Sequence, residues 1–170
     1  MKNKNIIIVA GEPYSIFFEI FFKAFKKKSL NIKKPIILIA SKKILLKQMI
    51  KLNYNFKINE IFFKDINKIK IYNNKINILN VDFPHKKTFD KISSKSNSYI
   101  NNCCDLAMKI VNEKNTKILI NGPIDKKKFL KKKYPGMTEY FAAKAKRTNE
   151  EIMLIYNKNL AVSPITTHLP

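Results

Sequence analysis

The sequence predicts an α/β fold, with helices layered as α/β/α on a mostly parallel sheet. Short, continuous β-branched runs recur along the chain, as expected of strands buried on both faces. Segments of helical periodicity separate those runs, and parallel strands need such crossovers. Hydrophobic residues make up 45% of the 170 residues, so a core can form in a chain of about one-domain length, at the usual ~100–200 residues per domain.

The first strand is expected over Ile6–Ala10, stopping at the turn Gly11-Glu12-Pro13. Ser15 to Lys28 follows as a helix, with Ile16, Phe17, Ile20, Phe21 and Phe25 at helical spacing. Pro35–Ala40 is a second buried strand. Ser41 suits the N-cap of a helix running to about Leu52. Between Phe56 and Phe89 the chain is rich in Lys and Asn, and Ile76–Val81 is its clearest strand. A polar loop over Ser93–Ser98 leads into an amphipathic helix from Ser98 to Glu113. Lys117–Ile120 reads as a short buried strand broken by Asn121-Gly122-Pro123. Helices over Asp125–Lys132 and Thr138–Lys146 and a strand at Leu160–Val162 complete the pattern. No repeat or low-complexity linker divides the chain, which reads as a single α/β unit over residues 1–170.

Thirty-four Lys+Arg against twelve Asp+Glu give a formal charge of +22. Such a charge suits phosphate neutralisation, yet Arg147 is the sole arginine, and arginine is the usual bidentate reader of guanine and phosphate. The lysines are spread along the whole chain, as compositional drift would leave them. Specific nucleic-acid binding is therefore not expected; attraction to small anions is a milder consequence that the charge leaves open. Cys103 and Cys104 are adjacent within a predicted helix, where neighbouring residues do not face each other, so no structural disulfide is expected. A reduced, cytoplasmic setting fits. The apolar run after the basic opening is too short for a signal peptide or a membrane span.

Only three glycines occur, where average usage of ~7% would give about twelve. Neither GxGxxG nor a P-loop is present. The glycines mark Gly11-Glu12-Pro13, Gly122-Pro123-Ile124-Asp125-Lys126 and Pro135-Gly136-Met137-Thr138-Glu139. The first two directly follow a predicted strand, and open α/β sheets bind ligands outside the carboxyl ends of their strands. Each is also readable as a plain tight turn. A fourth segment, Thr166-Thr167-His168-Leu169-Pro170, places a histidine after two hydroxyl residues, a position suited to metal ligation or acid–base work. The other histidine, His85 in Phe83-Pro84-His85-Lys86, reads as a surface loop residue.

In order and spacing the four segments resemble the 4-hydroxythreonine-4-phosphate dehydrogenase family of pyridoxal phosphate biosynthesis. That family opens with strand-Gly-Asp-Pro-Ala-Gly-Ile-Gly-Pro-Glu. Gly11, Pro13, Ile16 and Glu19 match it, and Glu12 replaces Asp. Its Ala-Pro-Ile-Asn-Lys turn is similar to Gly122–Lys126, its Pro-Gly-His-Thr-Glu motif to Pro135–Glu139, and its Thr-Thr-His-Ile-Pro segment to Thr166–Pro170.

The resemblance implies an isocitrate/isopropylmalate dehydrogenase-like fold and a homodimer. It also implies oxidation of 4-phosphohydroxy-L-threonine by NAD (or NADP), followed by decarboxylation. A divalent ion (Zn, Co or Mg), held by three histidines, would polarise the alcohol. His168 stands where the first metal histidine belongs. Met137 and Thr138 stand at the family's substrate-binding His-Thr pair; Thr138 keeps a hydroxyl, while Met137 cannot make an imidazole's hydrogen bond. Asp125 and Lys126 could add charge near a phosphate or carboxylate, or belong to a solvated loop. The family's chains run substantially further, so the resemblance implies an N-terminal portion whose remaining metal histidines, phosphate-binding residues and most of the NAD site lie beyond it. A related phosphorylated hydroxy acid as substrate, or a non-catalytic α/β binding module, are the alternatives.

Overall fold

The computed structural model describes residues 5–27, 35–66, 71–113 and 118–164. The chain forms two compact units, Met1–Asp125 and Lys126–Pro170.

The first unit carries β1 (Ile6–Val9), α1 (Phe17–Lys26), β2 (Ile36–Ala40), α2 (Lys42–Lys51), β3 (Ile58–Ile61), β4 (Ile76–Asn80), α3 (Asn97–Glu113) and β5 (Ile118–Asn121). Short 3-10 turns stand at Phe63–Asp65 and Ser94–Ser96. The five strands order as β3-β4-β2-β1-β5, and each neighbouring pair is parallel. The expected α/β class with a mostly parallel sheet is therefore observed. Ile7, Val9, Ile37 and Ile39 are wholly buried, because helices cover both faces of a parallel sheet. Burying each such side chain contributes ~1.5–3 kcal/mol.

The predicted strands lie within one residue of their observed bounds. The start of the strand expected from Lys117, and the end of the first helix, at Lys28, fall outside the described residues. β3 was not expected, since Ile58-Asn59-Glu60-Ile61 sits at the sheet edge and lacks an apolar run. The buried face of α1 is also a correction. Phe18, Phe21 and Phe22 are buried, whereas Ile16 and Ile20 are more than half exposed. Seven apolar residues wrap around this helix, so spacing alone fits several faces. Ring packing decides among them: Phe22 lies 5.4 Å from Tyr54 and Phe25 lies 5.1 Å from Phe56, centroid to centroid. Ser41 caps α2 as expected, accepting from the Ile44 N–H.

Buried polar groups staple the loops to the sheet. Asn77, 2% exposed, accepts at Oδ1 from Asn59 Nδ2 and the Tyr72 N–H, and donates through Nδ2 to the Ile36 and Tyr72 carbonyls. Gln48 Nε2 donates to the Pro13 and Thr88 carbonyls at 2.9 and 3.0 Å, joining the loop after β1 to the one after β4.

The second unit carries α4 (Lys126–Leu130), α5 (Met137–Ala145) and an antiparallel hairpin of β6 (Ile155–Asn157) and β7 (Leu160–Val162). α4 ends before the expected Lys132, because Lys131 and Lys132 adopt left-handed φ values of 49° and 61°. Six lysines between 126 and 133 repel one another at helical spacing. α5 begins beyond Gly136 and closes on a left-handed Lys146, an αL C-cap. β6 was not expected.

Gly11 (φ +75°) and Gly122 meet at the carboxyl ends of β1 and β5. A Cβ on Gly11 would stand 2.4 Å from the Pro123 carbonyl oxygen, and one on Gly122 would stand 2.2 Å from that of Ala10. Gly11→Ala and Gly122→Ala are each expected to cost about 3 kcal/mol or more through strain and backbone clash, read as lower urea midpoints. Losses below about 1 kcal/mol would show that the two turns do not constrain each other.

Candidate functional site

The strand order reverses about β1. The chain leaves β1 toward β2, on one side, and returns after β4 to β5, on the other. Open α/β sheets form their ligand crevice at such a switch point, beyond the carboxyl ends of the strands. There the Gly122 N–H donates to the Val9 carbonyl and the Glu12 N–H to the Pro123 carbonyl, both at 2.8 Å. Each added Cβ meets backbone, with no open space. The two glycines thus serve chain-on-chain packing and make no cradle for a dinucleotide's pyrophosphate.

Glu12 is the carboxylate that sequence reasoning passed over. It is 3% exposed, and the Ser96 hydroxyl lies 2.7 Å from its Oε2 and 2.8 Å from the Ser93 carbonyl. Burial, with Asp90 and Glu12 nearby, raises the neighbouring Tyr14 phenol above its ordinary pKa. Tyr99 accepts from the Ser41 N–H at 2.9 Å, and burial holds its phenol well above the usual range. Both phenols therefore stay protonated at neutral pH. Asn121, at the end of β5, presents an Oδ1 that is shielded from solvent and has no hydrogen-bond partner among the described residues.

A cavity of about 470 Å³ lies beside the start of α2, lined by Lys43, Leu46, Lys47, Phe83, Pro84 and His85. His85 is half-buried, not the plain surface residue expected, and its ring lies parallel to that of Phe83. Its Nδ1 is 2.9 Å from the Phe83 carbonyl, an acceptor, so Nδ1 donates there. Two ammonium groups, of Lys43 and Lys47, at one opening suit an anion.

Of the expected site residues, Met137 is half-buried and Thr138 exposed in the first turn of α5, where backbone N–H groups lack helical partners. Asp125 ends the first unit and is half-buried; Lys126 is exposed and opens α4. His168 lies outside the described residues. Among those residues no group of three or more His, Cys, Asp or Glu stands close enough to hold a metal ion, so by themselves they do not fit a metal centre. No helix among them is long and apolar enough to cross a membrane.

Comparison with known proteins gives consistent results. The profile of the family described as "Pyridoxal phosphate biosynthetic protein PdxA" matches residues 31–170. A protein named 4-hydroxythreonine-4-phosphate dehydrogenase, from Sulfurihydrogenibium sp. (strain YO3AOP1), is 32% identical across 98% of this chain and 50% of its own length. A crystal structure of a 4-hydroxythreonine-4-phosphate dehydrogenase from Burkholderia phymatum superposes with a TM-score of 0.84 at 20% identity, over 100% of this chain and 52% of that one. One from Klebsiella pneumoniae gives 0.79 at 21%, over 98% and 52%. At that identity the structures establish the fold. The chain spans about half the length of the relatives it matches.

Cys103 and Cys104 are both free and buried, and burial pushes the Cys103 thiol up to about 12 from its usual 9.0. The thiolate, not the thiol, is the nucleophile, so both cysteines should resist Ellman's reagent at pH 8 until the chain is unfolded. A folded pKa above the unfolded one favours the native state below pH 9, and that contribution is lost as pH rises from 9 through 12. Urea midpoints should fall over that window, less steeply in Cys103→Ala. Equal slopes would exclude the thiol as the cause.

Proposed function

The chain belongs to the PdxA family of pyridoxal phosphate biosynthetic proteins, and on that premise we propose that it supplies the N-terminal portion of a 4-hydroxythreonine-4-phosphate dehydrogenase. The activity is oxidation of 4-phosphohydroxy-L-threonine by NAD or NADP with loss of CO2, assisted by a divalent ion, in a cytoplasmic homodimer. The family match across residues 31–170 carries this reading, and the collinear motifs support it.

In this reading Thr138 donates a hydrogen bond to the substrate from the first turn of α5, whose N-terminal end favours anions. Asp125 and Lys126 add charge near the substrate, Lys126 facing a phosphate or carboxylate. His168 is one metal ligand. The sequence holds two histidines, so a three-histidine set needs ligands from beyond these residues. The dinucleotide likewise needs groups other than the packed glycines of the switch point. Met137, where the family has histidine, favours a second reading in which a related phosphorylated hydroxy acid is the substrate.

The test compares the chain alone with the chain completed by the C-terminal half of the Sulfurihydrogenibium relative. Alone it should bind Zn, Co or Mg weakly. Completed, it should bind metal tightly and reduce NAD with 4-phosphohydroxy-L-threonine. In the completed enzyme Thr138→Val should raise KM about tenfold with little change in kcat, the size of one lost hydrogen bond. His168→Ala should abolish metal-dependent turnover. A completed enzyme that is inactive on this substrate, or prefers another phosphorylated hydroxy acid, overturns the first reading.

A further inference from the structure

The cavity beside the start of α2 takes no part in the proposed function. At about 470 Å³ it falls within the ~300–1,000 Å³ of small-molecule sites, and its lining joins charge to apolar surface. Lys43 and Lys47 stand one turn apart on α2, both exposed. Their neighbour Lys42 pairs with Glu60 at 2.6 Å, whereas no ion pair among the described residues holds Lys43 or Lys47. Like charges at i,i+4 repel. The first turn of α2 also has no acidic residue to offset the positive end of the helix dipole. An anion that bridges the two ammonium groups relieves both. Leu46 and the Phe83–His85 stretch of the loop after β4 complete the lining. His85 spends Nδ1 on the Phe83 carbonyl, and its Nε2 is shielded from solvent with no hydrogen-bond partner among the described residues. Leaving a buried polar atom unpaired costs ~1–3 kcal/mol, so a ligand that pairs it is favoured beyond its charge.

We propose that this cavity binds a small phosphomonoester, with the phosphate on Lys43 and Lys47 and the organic body against Leu46, Phe83 and Pro84. A dianionic phosphate answers two ammonium point charges, where a carboxylate brings a single charge. A bare phosphate ion fills only a small part of the cavity and leaves its apolar lining unused. The site lies wholly in the first unit and shares no residue with the substrate contacts assigned to Thr138, Asp125 and Lys126. It therefore stands whether or not the chain supplies half of a dehydrogenase.

The test titrates the whole chain at pH 7 with phenyl phosphate and, separately, with inorganic phosphate. Binding is followed by the imidazole proton resonances of His85, assigned by their loss in His85→Asn. Phenyl phosphate should shift these resonances saturably and bind about tenfold more tightly than inorganic phosphate, through burial of its ring. Lys43→Ala and Lys47→Ala should each weaken it about fivefold, the upper range for a partly exposed charge pair. Lys51→Ala removes the same charge one turn further along α2, away from the cavity, and should leave the affinity unchanged. All three lysines are exposed, so thermal unfolding of these variants should match that of the parent chain. Equal losses in all three mean diffuse attraction to a chain of +22 and overturn the proposal. Inorganic phosphate binding as tightly as phenyl phosphate overturns it too, as an adventitious ion only. So does phenyl phosphate that fails to bind, or that binds without moving His85.

Discussion

The close approach of two backbones at Gly11 and Gly122 governs the arrangement of the first unit. β1 and β5 are neighbouring parallel strands, and the chain must turn sharply away from the end of each. Those turns touch: the gaps that a Cβ would occupy are already filled by the carbonyls of Pro123 and Ala10. The contact is fixed by two hydrogen bonds, from Gly122 to Val9 and from Glu12 to Pro123. A chain otherwise depleted in glycine keeps it at the two places where a side chain cannot fit. This contact aims the side chain of Glu12 and sets Asn121 beside the turn, so the geometry of the switch point follows from packing before any ligand is considered.

Around that contact, buried polar groups tie one loop to another. Gln48 reaches the loops on either side of it, Ser96 meets Glu12, and Tyr99 accepts from the backbone of Ser41. Losing one partner of such a bond strands the other, at ~1–3 kcal/mol. Holding a carboxylate at 3% exposure is costly in itself. Its place beyond the end of β1, hydrogen-bonded from the 3-10 turn before α3, makes Glu12 a group that organises the loops around the crevice.

What the sequence disclosed followed from burial. β1 and β2 are continuous apolar runs because both their faces are covered, while β4 and β5 keep enough branched residues, around Asn77 and before Asn121, to be visible without any structure. β3 is an edge strand with Asn and Glu inside it, so it resembles the polar segment around it. β6 was hidden for a different reason: Ile152 to Tyr156 is an apolar run without a recognisable partner, and the pairing with β7 depends on a two-residue turn at Lys158-Asn159. The face of α1 was unreadable because aromatic and branched residues surround the helix. At the site, glycine placement was legible and the buried carboxylate was not. A Glu between Gly and Pro looks like an ordinary turn residue until the fold encloses it.

Charge and fold are separable in this chain. Thirty-three of its thirty-four cations are lysines, and lysine can leave its ammonium in water while its stem covers apolar surface. A surface can therefore become strongly basic without disturbing the core, provided the residues that set backbone geometry stay in place. They do: two glycines at the switch point, a serine cap on α2, and amide side chains between strands and loops. The same composition shapes recognition. An ammonium is a point charge without the planar fork of a guanidinium, so orientation of an anion has to come from backbone N–H groups and hydroxyls. Thr138 in the first turn of α5 offers both within one residue.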